Sequence, residues 1–136
     1  HINLQTGTDT PPEYFQGDRI LIERAVMNII SNALEFSPEQ SILKVKAGGD
    51  DKTLKLYITD SGTGFSQKAL KHAKELFFMD DQSRSSKLHF GMGLYITNHI
   101  VEQHHGNMQI QNSAETKGGE VILTFPLNQE QQAAPL

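Results

Sequence analysis

The sequence contains no cysteine and no tryptophan. Without cysteine there are no disulfides, no thiolate metal sites and no cysteine nucleophile, and the composition suits a cytosolic protein. No apolar run approaches the roughly 20 residues of a membrane helix, and no secretory leader pattern is visible. A basic excess is missing too. Lys and Arg number 12 against 16 Asp and Glu, a formal net charge of −4, so nothing points to a nucleic-acid partner. No glycine is followed by Lys-Ser or Lys-Thr, which excludes a Walker loop, and no third glycine completes a dinucleotide fingerprint. The six His offer no metal pair, because His99, His104 and His105 lack the i, i+4 spacing of a ligand pair on a helix. What remains is 136 residues with 37% hydrophobic content, including 7 Phe and 3 Tyr. That is enough for one compact core. The chain starts at His1 rather than Met, which reads as a piece excised from a longer protein.

The patterning predicts an edge strand and a loop over residues 1–16, then a helix from Asp18 to Phe36. Asp18 is placed to cap it, and Ser37-Pro38 to stop it. Ser41–Gly48 and Lys52–Asp60 alternate like strands and read as an antiparallel hairpin around Gly48-Gly49-Asp50-Asp51. A short helix is expected from Ser66 to about Leu76, and Asp80–Lys87 reads as a flexible loop or lid. Met92–His105 reads as a helix with Gly106 as its C-terminal cap. His104 and His105 would meet the negative end of that helix dipole. Met108–Gln111 and Glu120–Phe125 form a last strand pair around Gly118-Gly119. Residues 128–136 read as a disordered tail after an ordered unit of residues 1–127. This order is not the regular alternation of a doubly wound sheet. It predicts an α/β (α+β) two-layer sandwich, a mixed, largely antiparallel sheet with helices on one face.

Three segments carry chemistry. The first helix is apolar almost all round, with one polar stripe: Arg24, Asn28, Ser31, Asn32 and Glu35. A solvated face would more usually carry Lys and Glu, so the stripe reads as a site wall. Its neutral amide oxygens suit Mg²⁺ in a site that already holds phosphates. Asp60-Ser61-Gly62-Thr63-Gly64-Phe65 leaves a strand. It is either an ordinary turn or a loop whose Asp60 accepts from an exocyclic amine such as adenine N6. There Gly62 and Gly64 would permit close approach of a base or a positive φ. Gly91-Met92-Gly93-Leu94 opens a helix. These are either loop glycines or a phosphate site at a helix N-terminus, with Lys87 and Arg84 upstream.

Taken together, these segments resemble the catalytic, ATP-binding domain of bacterial two-component sensor histidine kinases, within the ATPase group that includes gyrase and the Hsp90 chaperones. Asn28-Ile29-Ile30-Ser31-Asn32-Ala33 is similar to the family's N box, and Asp60-Ser61-Gly62-Thr63-Gly64-Phe65 to its G1 box. Leu76-Phe77-Phe78 resembles the F box, and Phe90-Gly91-Met92-Gly93-Leu94-Tyr95-Ile96 the G2 box. The resemblance runs from about Gly17 to Leu127. It implies a Bergerat-type sandwich that binds ATP and Mg²⁺. Asp60 would bind the adenine amine, with Gly62, Gly64 and Phe65 in the same loop. Asn32 would coordinate Mg²⁺ beside Asn28. Lys87, Gly91, Met92, Gly93 and Leu94 would form the phosphate end, and residues 77–90 the lid.

In the hydrolysing relatives a Glu, four residues before the Mg²⁺ Asn, serves as general base. Asn28 stands there and cannot take a proton, so no residue of this chain is assigned as a catalytic base. The implied reaction is transfer of the γ-phosphoryl group to a His on a separate dimerisation domain of the same kinase, with a response regulator downstream. The implied setting is the cytosolic part of a membrane-bound sensor, with no nucleic acid and no membrane contact by this fragment. Two alternatives stay open. One is a degenerate nucleotide-binding regulatory module, motivated by Glu35, whose carboxylate would repel phosphate unless turned away or bridged by Mg²⁺. The other is a hydrolysing ATPase of the same group.

Overall fold

The computed structural model describes residues 3–9, 15–75 and 93–127. Strand β1 (Asn3–Asp9) precedes helix α1 (Arg19–Phe36). The hairpin strands β2 (Ile42–Gly49) and β3 (Thr53–Thr59) follow, then helices α2 (Gln67–His72) and α3 (Gly93–Gln103). Strands β4 (Asn107–Asn112) and β5 (Gly119–Pro126) close the described chain. The five strands form one sheet in the order β1-β2-β3-β5-β4. β1 runs parallel to β2 and every other pair is antiparallel. This is the mixed, largely antiparallel sheet that the element order predicts.

The core lies between the sheet and the two longer helices. Ala25, Ile29 and Ala33 are buried, each four residues from the next, so one line of α1 faces the sheet. Val121, Leu123 and Phe125 alternate along β5 and are buried, with Leu43 and Ile58 beneath α1 and Val101 and Met108 completing the cluster. α1 is less buried than its composition suggests. Ile20, Met27 and Leu34 are exposed and lie on its outer side. Polar groups of the sheet's other face pair across strands. Glu120 is opposite both Thr59 and Gln111 in register, and it accepts from Thr59 Oγ1 at 2.6 Å and Gln111 Nε2 at 2.7 Å.

Local signals explain most boundaries. Asp18 caps α1, its Oδ1 accepting from Leu21 N–H at 3.1 Å, and extended Ser37 ends the helix. The hairpin turn falls later than expected. Gly48 and Gly49 belong to β2, and Asp50 Oδ1 makes the turn by accepting from Lys52 N–H and Thr53 N–H at 2.8 Å. α2 is shorter than predicted, with Ser66 as its N-cap.

The end of α3 corrects two expectations. His105, not Gly106, is the left-handed residue, with φ +62°. Gly106 N–H bonds Val101 O and His105 N–H bonds Glu102 O, both at 2.9 Å, which is a Schellman closure. Glycine is required at 106 because a Cβ there would lie 2.5 Å from Thr124 O. His104 meets the carbonyl end of α3 as expected, but it is half-buried rather than at the surface. Its Nδ1–H donates to Ile100 O at 2.8 Å, while Nε2 accepts from Asp18 N–H at 3.0 Å. The ring also packs edge-on against Phe125. One imidazole therefore ties the last turn of α3 to the cap of α1. Replacing it (His104→Ala) is expected to cost about 1–2 kcal/mol, read as a lower urea midpoint. An unchanged midpoint contradicts the tie.

Candidate functional site

The two longer helices run antiparallel. Thr97 Oγ1 donates to Ala25 O at 3.3 Å, and His104 meets Asp18. Gly93, one turn before Thr97, therefore sits level with the turn of α1 one further on from Ala25, the turn that carries Asn28. The N-terminus of α3 thus lies beside the asparagine segment. Asn28 and Asn32 are half-buried, and neither amide makes a side-chain hydrogen bond among the described residues. Arg24, Ser31 and Glu35 are exposed. The polar stripe thus divides into two half-buried amides and three exposed residues.

The loop after β3 meets the far end of α1. A Cβ on Gly62 would lie 2.4 Å from Phe36 O, so Gly62 is glycine because the helix end passes against it. Gly64 is glycine for its φ of +84°. Both constraints come from the protein's own backbone rather than from the approach of a base. From Phe36 back to Ile29 is seven residues of helix, about 10 Å along the axis. Asp60 therefore lies toward the C-terminal end of α1, and Asn32, Asn28 and the start of α3 follow along that helix.

Asp60 is buried, and its two oxygens differ. Oδ1 accepts from Gly62 N–H and from Gly119 N–H, both at 2.9 Å. Oδ2 accepts no hydrogen bond from the described residues. No fully buried side-chain polar atom there lacks a partner, so Oδ2 keeps some exposure. Gly119 and the Phe65 ring lie beside it. A Cβ on Gly119 would lie 3.1 Å from Oδ2 and 2.8 Å from Phe65 Cε2. Burial pushes the carboxyl above its ordinary value, and the two N–H bonds only partly oppose this. The arrangement is a half-satisfied, acceptor-only group in a partly apolar recess, suited to a ligand's N–H donor.

Of the other predicted residues, Phe65 and Leu94 are half-buried and pack against the core. Gly93 is the first residue of α3, and a Cβ there would meet nothing. Lys87, Gly91 and Met92 lie outside the described residues, as do the F-box segment, the lid and residues 128–136. Three residues were missed. Asn112 clasps the Phe65 backbone, accepting from its N–H at 2.6 Å and donating to its C=O at 3.0 Å. Thr116 donates to Asp60 O at 2.7 Å, and Gly119 donates its N–H to Asp60 Oδ1 and accepts from Asp60 N–H, both at 2.9 Å. The one signal for them in the sequence is the Gly118-Gly119 doublet that opens β5.

Comparison with known proteins agrees with this geometry. Residues 17–129 match the family described as histidine kinase-, DNA gyrase B-, and HSP90-like ATPase. The chain belongs to that family, as an ATP-binding catalytic domain of the sensor histidine kinase branch. It is 41% identical over 110 residues to the sensor histidine kinase SpaK of Bacillus subtilis, a match covering 81% of this chain and 24% of SpaK. It is 36% identical over 123 residues to the nisin biosynthesis sensor protein NisK of Lactococcus lactis subsp. lactis, covering 90% of this chain and 27% of NisK. The solved mycobacterial sensor histidine kinase MprB superposes with a TM-score of 0.80 at 28% identity, covering 92% of this chain and 83% of that one. The chain thus spans about a quarter of the length of these curated relatives. No described helix is long and apolar enough to cross a membrane.

The raised Asp60 value fixes a pH dependence. The folded carboxyl holds its proton to higher pH than the unfolded one. Its contribution is therefore fully favourable below the ordinary aspartate range and is lost as pH rises through the folded value. Asp60→Asn keeps an acceptor for the two N–H groups and removes the charge. It is expected to raise the thermal midpoint at neutral pH, with the gain shrinking in acid. A lower midpoint at neutral pH would show that burial does not dominate.

Proposed function

We propose that the chain binds Mg-ATP at this site and supplies the γ-phosphoryl group to a histidine on a separate dimerisation domain of the same kinase, with a response regulator as the later acceptor. The observation that carries the reading is the division of labour in Asp60, with Oδ1 held by two backbone N–H groups and Oδ2 accepting none from the described residues. Adenine presents an amine donor at its 6-position, and guanine presents a carbonyl acceptor there. An ionised carboxylate only accepts, so it favours the first and repels the second.

Asn28 and Asn32 fit the magnesium end. Their oxygens are neutral and hard, and they suit an ion that already carries phosphate oxygens. Asn32 would ligate the ion, with Asn28 beside the phosphates. Gly91, Met92, Gly93 and Leu94 would shape the phosphate end. There the free N–H groups at the start of α3 favour anions, and Lys87 would add charge. Magnesium would neutralise charge on the transferring group. The chain's own residues would bind the nucleotide, orient it and keep it from water. No side chain at position 28 can deprotonate water, which favours transfer to a supplied nucleophile over hydrolysis.

A second reading, nucleotide binding without transfer, loses support from Glu35, which is exposed one turn beyond Asn32 rather than at the half-buried edge with the amides.

Asp60→Asn is expected to weaken ATP binding by about 1.5–3 kcal/mol, roughly 10- to 150-fold, the value of one hydrogen bond to a charged group. Calorimetric titration reads this, and unchanged affinity contradicts the adenine role. In a second experiment, the chain is mixed with labelled ATP and a histidine-bearing dimerisation domain. The expected result is label on that histidine and little phosphate release by the chain alone. Tight ATP binding with no label favours the second reading, and steady phosphate release favours a hydrolysing ATPase.

A further inference from the structure

The β4–β5 turn, residues 113–118, packs directly behind Asp60. Its Thr116 hydroxyl accepts from Gly118 N–H at 3.1 Å and donates to Asp60 O at 2.7 Å, so its proton has one direction. Buried Ser113 holds the turn in shape. Its Oγ accepts from Glu115 N–H and Thr116 N–H at 3.2 Å, and its N–H bonds Gly118 O at 2.8 Å. Lys117 takes a positive φ of 65° to complete the turn. A Cβ on Gly118 would lie 2.2 Å from Asp60 O, so the turn and the aspartate backbone are in contact without room for a side chain. On the other side, Asn112 at the end of β4 clasps the backbone of Phe65. Asp60 is therefore gripped from behind at its carbonyl and its N–H, and at its Oδ1 by Gly119 N–H.

We propose that Thr116 is a positioning residue that sets nucleobase selectivity: its hydroxyl fixes the Asp60 backbone, and so aims Oδ2 at the 6-amino group of the purine. The inference rests on the assignment of Asp60 to adenine. Two rotations decide where Oδ2 points, and Oδ1 is bonded to Gly119, which the same turn leads into. Without the hydroxyl, Asp60 O loses its donor and Gly118 N–H loses its acceptor. The carboxylate then keeps its charge and loses its aim. Thr116 acts through Asp60 and touches no part of the ligand, so its effect should appear only with ligands that carry the amine.

The experiment compares ATP with purine riboside triphosphate, which has hydrogen in place of the 6-amino group. Calorimetric titrations use the 136-residue chain as wild type, Thr116→Val, Thr116→Ser and Asp60→Asn. Wild type is expected to prefer ATP. Thr116→Val is expected to lose about tenfold in ATP affinity while its affinity for the analogue is unchanged. Thr116→Ser, which restores a hydroxyl, is expected to recover the preference. If Thr116→Val does not fold, Thr116→Ala serves the same comparison. A Thr116→Val preference equal to wild type overturns the proposal. So does a parallel loss for both ligands, which is the signature of a merely structural residue. Wild type with no preference for ATP overturns the adenine assignment itself, and the Asp60→Asn titrations separate that failure from a failure of Thr116 alone.

Discussion

The bond from Gly119 N–H to Asp60 Oδ1 joins the end of β3 to the start of β5, two positions 59 residues apart in the chain. It is one member of a closed set. Asp60 N–H returns to Gly119 O, Gly62 N–H shares Oδ1, and Thr116 holds the carbonyl. A carboxylate buried beside core residues would ordinarily be a liability. Here two backbone donors hold Oδ1 in place, and Oδ2 accepts no hydrogen bond from the described residues. In the proposed function, a ligand with a suitably placed donor would complete the set.

The remaining architecture brings other groups to the same site. The pairing of α3 with α1 is fixed by Thr97 at its centre and His104 at its end. That pairing puts the first residue of α3 next to the asparagines. The sheet register puts Gly119 beside Asp60, and Phe36 at the end of α1 passes against Gly62. Three contacts between sequence-distant elements therefore set the order of these groups along α1.

Much of this was legible in the sequence, because local physics wrote it there. The cap at Asp18, the stop at Ser37-Pro38, the alternation of β5 and the order of the sheet-forming runs all depend on near neighbours. So did the choice of Asp60, since an aspartate that ends a strand before two glycines is a local pattern. What could not be read depends on register. Thr116 and Asn112 find their partners 56 and 47 residues away, and no periodicity marks them. The histidines show the same limit. His104 reads as a surface residue by spacing, yet its partners are a carbonyl four residues back and an N–H 86 residues away. Gly64 takes the positive φ that its loop pattern offers, and Gly62 is held to glycine by the passing end of α1.

The asparagine stripe shows how far a helical pattern can be trusted. Five polar residues share a sector by spacing, yet only Asn28 and Asn32 sit at the buried edge. The rest of the sector faces solvent, as do Ile20, Met27 and Leu34. Periodicity located the face, and packing against α3 and the sheet decided how much of it is buried. In the proposed function, Asp60 reads the adenine amine while Asn28 and Asn32 hold the magnesium phosphates. A crystal structure of this chain with a non-hydrolysable ATP analogue and Mg²⁺ tests this. The 6-amino group is expected within hydrogen-bond distance of Asp60 Oδ2, and the metal at Asn32. A nucleotide seated with its base away from Asp60, or a metal held without Asn32, would contradict it.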